Sequence, residues 1–296
     1  MSVTKSVSII GAGVVGSAVG NLLRLRGYAI KGVAARSMAS AEKAVRFIGE
    51  GEPGTDAVAA AKDADWVLIT TPDKAIKAVC DEVAAGGGFD RPAGERPLVV
   101  HFSGALGSGV LGSARGAGAR VVSVHPLQSL ASAEQAVANL AGSYMSVEGD
   151  PDAMAGGVEI VDALGGLRMV IPSGQKALYH AGAAVASNYL VTVVDFAVTI
   201  YEALGLTRAE AVKAVMPLVR GTVNNIERAG VPDALTGPIA RGDVATVEGH
   251  IEVLAKTMPG MLGLYRELGR HTVAVGLAKG SLAREDADRL LELLKD

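Results

Sequence analysis

The chain has 296 residues, 49% of them apolar, and its 28 lysines and arginines against 31 acidic residues leave a formal net charge of −3. Two units sharing a cleft are expected at this length, because a single core seldom grows past roughly 250–300 residues. The dispersed charge offers no basic stripe for nucleic acid, and the lone cysteine, Cys80, excludes internal disulfides and fits a reducing cytoplasm.

The N-terminus MSVTKSVSII runs directly into a strand pattern, without the apolar stretch and small-residue cleavage site of an export signal. Short β-rich runs then alternate with helical patterns: VSIIGAG, GNLLRLRG, YAIKGVAAR, AEKAVRFIG, DADWVLITT, DKAIKAVCDEVA, RPLVVHFSG and ARVVSVHP. That order predicts an α/β layer with a doubly wound, mostly parallel sheet, and the nearly all-apolar strands imply helices on both faces. Cys80 falls among Ile76, Val79 and Val83 at helical spacing and reads as a small core residue.

Where the first strand gives way to a helix, the sequence reads Gly11-Ala-Gly13-Val14-Val15-Gly16. The first glycine permits a tight turn, the second admits a pyrophosphate to the backbone, and the third lets helix and strand pack closely. With strand, helix and second strand all present in about thirty residues, this is the Rossmann dinucleotide-binding fingerprint. The second strand ends in Arg36-Ser37 and lacks the acidic residue that NAD enzymes present to the ribose, so the expected cofactor is NADP rather than NAD. Thr70-Thr71-Pro72 and Ser103 come after later strands at the carboxyl edge, where ligands lie in open sheets. These residues are expected to line cofactor and substrate, or to serve as strand-to-helix turns. His125 ends another strand and faces the same cleft, or is a buried, satisfied histidine.

SYMSVEGD, a helix from about Ala153 to Leu164, and LRMVIP complete the sheet, which places a domain boundary after Pro172: residues 1–172 bind dinucleotide, and 173–296 form an all-α substrate and dimerisation domain. Gly205, Gly230 and Gly269 are expected to stop helices there, and Pro217, Pro232, Pro238 and Pro259 to break or start them. The apolar stretch Ala181–Leu206 is interrupted by Asn188, Asp195 and Glu202, which favours a helix buried in protein over a membrane span. On one ideal helix Lys176, His180, Asn188 and Asp195 share an arc of roughly 120°. Hydride delivery to a carbonyl requires a proton donor, supplied by Lys176 or His180, and an orienting group such as Asn188. Further on, Arg241 is placed either to clamp a substrate carboxylate or to pair with Asp243. No cluster of residues at metal-ligand spacing occurs, and so apolar a rod suggests a homodimer.

The segments IIGAGVVGSAVG, HFSGAL, HPLQSL, ALYHAGAAVASNYL and LTGPIARGDVATVEGH resemble the bacterial family that joins a Rossmann-like domain to a DUF2520 domain. That family is related to ketopantoate reductase and, more distantly, to the 6-phosphogluconate and pyrroline-5-carboxylate reductase groups. The resemblance implies NADP-dependent reduction of a small 2-oxo acid, ketopantoate being one candidate, with a cyclic-imine reductase and a non-catalytic NADP-binding redox sensor as alternatives. In ketopantoate reductases a lysine donates the proton and asparagines follow one and two turns later. Laid on this helix, the pattern puts either His180 or Lys176 at the lysine position.

Overall fold

A computed structural model describes residues 5–92 and 94–295. The chain divides into two compact units, residues 1–188 and 189–296.

The first unit is built on eight strands: β1 (Ser6–Ile10), β2 (Ala29–Ala34), β3 (Glu52–Gly54), β4 (Trp66–Ile69), β5 (Leu98–His101), β6 (Arg120–Pro126), β7 (Tyr144–Gly149) and β8 (Leu167–Val170). They lie in the order β3-β2-β1-β4-β5-β6-β7-β8, with every neighbouring pair parallel except β6 and β7. This is the doubly wound, mostly parallel sheet the alternating pattern predicts. β3 escapes that pattern because Glu52-Pro53-Gly54 has no apolar run. Strand residues alternate between two cores. Ile9, Leu68, Val100, Val122 and Val147 pack on one face; Ile10, Val67, Ile69, Val99 and Val121 pack on the other with Leu111 and Cys80. Cys80 is fully buried, accepts a hydrogen bond from Ser113 and has its pKa raised by that burial, so it is a core residue as expected.

The strand pattern ends at β8, yet the first unit extends sixteen residues beyond Pro172 to Asn188 and takes in the helix Lys176–Ala184. A boundary read from strand periodicity misses this, because a helix can pack against a sheet that precedes it.

The second unit carries the helices Leu190–Ala203, Arg208–Ala229, Val231–Ala234, Val244–Thr257, Pro259–Lys279 and Arg284–Leu293, with a core of Val244, Val247, Val273, Leu282, Ala287, Leu290 and Leu294. Gly205 and Gly230 follow helix ends within two residues, and Pro232 and Pro259 stand in first turns, as expected. Two punctuators behave otherwise. Pro217 lies inside the 22-residue helix Arg208–Ala229, whose start is fixed by a reciprocal cap between Thr207 and Glu210. Gly269 lies inside Pro259–Lys279, where a Cβ would come within 2.7 Å of Leu294 Cδ2, so this glycine serves close packing and does not stop the helix.

The apolar rod Lys176–Ala203 also departs from expectation. It is long and apolar enough to cross a membrane, but within its own chain it is mostly exposed rather than buried. A π-helical turn at Val185–Tyr189 interrupts it. The extra residue rotates the remainder of the rod by about 100° relative to an ideal helix. Asp195, which belongs to the second unit, pairs there with Arg208.

Candidate functional site

In the first unit a cavity of about 690 Å³ opens at the carboxyl edge of β1, β2 and β4. Gly11, Gly13, Val14, Val15, Arg36, Thr70, Thr71 and Pro72 line it, as the sequence predicts, and so do Ser40, Asp73, Phe102 and Ser103. Gly11 adopts φ +116°, and a Cβ there would strike the Thr70–Thr71 peptide at 2.7 Å. A Cβ on Gly16 would lie 2.2 Å from the Gly11 carbonyl oxygen, so only glycine lets the helix Val14–Leu25 start this close to β1. The Thr70 hydroxyl donates to that same carbonyl at 2.6 Å and pins the turn.

Gly13 differs from both. A Cβ there would meet nothing within 4 Å, since the position faces the open cavity, and no side chain caps the helix that starts at Val14. Backbone amides and the positive end of the helix dipole thus face a space able to take a pyrophosphate. The buried Thr71 hydroxyl, also on the cavity lining, has no hydrogen-bond partner among the described residues. The residues present therefore fit a dinucleotide. Arg36 is exposed on the lining, whereas Ser37 caps the helix Met38–Ile48 and donates its hydroxyl to Ser40. The serine that lines the cavity is Ser40, one turn later.

Next to the cavity, strand register assembles a polar cluster. His101 on β5 is level with Ser123 on β6, and His125 on β6 is level with Ser146 on β7. Alternation along the strands puts Glu148 on the same face as Ser146. Lys176 begins the helix after β8; it is 2% exposed and donates to Ser146 Oγ at 3.2 Å. Its ammonium lies 5.4 Å from the Tyr179 ring centroid. Burial lowers the Lys176 pKa to about 8, against the opposing pull of Glu148 and Asp73.

Burial holds both His101 and His125 at about 4, and the Lys176 charge adds to the effect. Each is therefore a neutral imidazole at pH 7. His101 is locked, accepting from the Ser103 amide at Nδ1 (3.1 Å) and meeting the Gly107 carbonyl at Nε2 (3.2 Å). His125 Nδ1 lies 2.9 Å from the Tyr179 hydroxyl, and its ring stands edge-on to that of His180, with centroids 6.1 Å apart. The buried Glu148 carboxylate accepts from the Ser108 amide and hydroxyl at 2.7 and 2.9 Å and from the Ser173 hydroxyl at 3.2 Å.

The first unit thus brings Lys176, His125 and His180 together beside the cavity. Ser103 lines the cavity, but its hydroxyl donates to Asp73 at 2.8 Å and accepts from the Ala105 and Leu106 amides, which occupies its bonding capacity. Asn188 is exposed in the π-helical turn, twelve residues and about 18 Å of helix beyond Lys176. Arg241 and Asp243 belong to the second unit; Asp243 caps the helix Val244–Thr257 by accepting from the Thr246 amide and hydroxyl.

Sequence pattern alone passes over His101, Ser146, Glu148 and Tyr179. Ser146 and Glu148 carried a usable signal, the polar half of the alternation Met145-Ser146-Val147-Glu148. Tyr179 lay hidden between Lys176 and His180, because an aromatic on an apolar rod reads as packing.

Two family models match the chain, a Rossmann-like domain over residues 2–126 and the domain of unknown function DUF2520 over residues 143–272. Among solved structures, protein TM1727 from Thermotoga maritima aligns at 26% identity with a TM-score of 0.74, covering 92% of this chain and 99% of its own. A provisional NADP oxidoreductase, BF3122 from Bacteroides fragilis, aligns at 21% identity and TM-score 0.70, with 92% and 98% covered. A pyrroline-5-carboxylate reductase from Coxiella burnetii aligns at 20% identity and TM-score 0.57, with 99% and 100% covered. No curated protein matches the sequence.

Proposed function

For a chain that joins a Rossmann-like domain to a DUF2520 domain, we propose the activity of an NADP-dependent reductase acting on the carbonyl of a small 2-oxo acid. The observation that carries this reading is the burial of the Lys176 ammonium at the edge of β5–β7, beside a cavity whose glycine turn suits a dinucleotide. NADPH, when bound, would supply the hydride. The chain's own part is to hold the phosphates at Gly13 and the adjoining amides, to engage the 2′-phosphate through Arg36, and to deliver a proton to the developing alkoxide from the Lys176 and His125 cluster.

Reduction of a cyclic imine is the second reading, favoured by the likeness to the Coxiella enzyme. The lysine argues against it. An imine is reduced most readily in its protonated, cationic form, which a buried ammonium repels, whereas the same ammonium stabilises an alkoxide.

The test is NADPH oxidation against a panel of 2-oxo acids that includes ketopantoate, run beside pyrroline carboxylates. Turnover of a 2-oxo acid is expected. Turnover of pyrroline carboxylates alone would transfer the assignment to imines, and none with either panel would overturn it. Arg36→Ala should weaken NADPH binding by about tenfold or more, the worth of a charge-assisted hydrogen bond, and leave NADH unchanged.

A further inference from the structure

Resting on the dinucleotide reading of the cavity at the carboxyl edge, we propose that Asp73 is the carboxylate that meets the nicotinamide end of the cofactor, where it offsets the positive charge of the oxidised ring and so sets how firmly the protein holds NADP+ relative to NADPH.

The cavity lining follows the strand order of the sheet. Arg36 comes after β2, the glycine turn after β1, Thr70 to Asp73 after β4, and Phe102 and Ser103 after β5. Neighbouring strands are spaced by about 4.8 Å, so this edge covers about 14 Å from β2 to β5. With the 2′-phosphate at Arg36 and the diphosphate at Gly13, the half of the cofactor beyond the diphosphate runs towards β4 and β5. Asp73 and Ser103 therefore stand at the nicotinamide end.

Asp73 is fixed there by more than its helix. It belongs to the first turn of the helix Asp73–Ala85, whose positive end favours an acid. The dipole asks for no further partner, yet Asp73 Oδ2 accepts the hydroxyl of Ser103, thirty residues away in the chain, at 2.8 Å. Ser103 is 4% exposed, and its oxygen accepts from the Ala105 and Leu106 amides at 3.2 and 3.0 Å, which leaves its one hydrogen for Asp73. The carboxylate is thus anchored on the lining, while its Oδ1 takes no hydrogen bond from any described residue.

The charged side chains on the lining, among the described residues, are Arg36, Asp73, Lys74 and Glu82. Either acid repels a ligand that carries phosphates. An anchored carboxylate suits that ligand only where the ligand brings hydroxyl donors or positive charge, and the oxidised nicotinamide ring is its one cationic part. The ring is neutral in NADPH and becomes a cation when its hydride, two electrons and a proton, passes to the carbonyl carbon of the substrate. A carboxylate at this end therefore favours the oxidised form and the departure of the hydride.

The test is calorimetric titration of the full-length protein with NADPH and with NADP+, and the readout is the ratio of the two dissociation constants. Asp73→Asn removes the charge but keeps the shape and an oxygen that can accept from Ser103. The Kd for NADP+ divided by that for NADPH should rise by about tenfold, the worth of one charge pair in a partly solvated cleft. A relieved repulsion of the phosphates, a weakened fold or a lost bond to a ribose hydroxyl would shift both constants alike and leave their ratio unmoved. Glu82→Gln removes the other acid of the lining, nine residues and about 13.5 Å farther along the same helix, and should keep the ratio within twofold of native. A ratio unmoved by Asp73→Asn, or moved equally by Glu82→Gln, would overturn the proposal while the dinucleotide reading stands. A native protein that binds neither form would overturn both.

Discussion

Gly104 lies so close beneath His180 that a Cβ at position 104 would come within 2.5 Å of the ring's Cδ2, with His125 Nε2 only slightly farther at 2.7 Å. Both rings are anchored, His125 by Tyr179 and His180 by its helix, so neither can yield cheaply. Gly104→Ala should cost about 1–3 kcal/mol through overpacking and separate the two rings. The expected outcome is a lower urea midpoint and a much reduced kcat with NADPH affinity retained. A variant with native stability and native turnover would show that the contact is softer than the geometry states.

The glycine turn makes a prediction in which stability and binding part company. Gly16→Ala drives a methyl into the Gly11 carbonyl and Thr70, so it should lower stability and abolish cofactor binding together. Gly13→Ala meets no atom within 4 Å and has φ −86°, which alanine adopts readily, so its melting temperature should match the native protein's. Its NADPH affinity should nevertheless fall by about tenfold or more, because the methyl would stand where the diphosphate must approach. Calorimetric titration of both variants checks this; undiminished binding by Gly13→Ala would move the diphosphate elsewhere.

The contrast between these glycines shows what was legible in the sequence. The turn, the sheet class and the lining by Arg36, Thr70 and Thr71 come from local pattern, since strand, turn and helix are set by neighbours in the chain. The cluster around Lys176 is not local. Ser146, Tyr179 and His125 meet because β7 runs antiparallel to β6 in one particular register and because the helix after β8 packs on that face. Nothing in a one-dimensional pattern fixes such a register. The rod differs for another reason: ideal periodicity cannot foresee the π-helical turn at Val185–Tyr189, and Asp195 pairs with Arg208 within the second unit.

Three buried bases give stability a definite slope with pH. His101 and His125 titrate at about 4 when folded, against 6.5 when free. Between those values the unfolded chain binds more protons, so stability rises with pH across that window and is lost on acidification. His101 alone accounts for about 3 kcal/mol between the two limits. Lys176, at about 8 when folded against 10.5, acts with the same sign: stability rises again from about pH 8 towards 10.5, as the folded chain sheds a proton that the unfolded chain keeps. For the proposed reductase, activity should move the other way there, since a neutral Lys176 would have no proton to give. Urea midpoints measured from pH 4.5 to 10 should therefore climb through two windows while kcat falls above about 8. A midpoint that stays flat between pH 4.5 and 6.5 would show that the histidines are not held neutral.

The exposed rod predicts an assembly. Leu178, Val185, Tyr189, Leu190, Val191 and Val193 all stand exposed along Lys176–Ala203, a longer apolar stripe than a soluble monomer usually shows to water. We expect a protein rather than a bilayer to cover it, since Asn188 and Asp195 fall within the stretch and the Asp195–Arg208 ion pair would be costly in hydrocarbon. A second copy of the chain is the cover we propose, because a two-fold contact buries the same stripe on both partners at once. Light scattering should give twice the monomer mass in detergent-free buffer. Replacing Val191 and Leu178 with glutamate should shift the population to monomer and leave the first unit's NADPH binding intact. A native protein that is monomeric at tens of micromolar would overturn the dimer, and one that requires detergent to stay in solution would point to lipid instead.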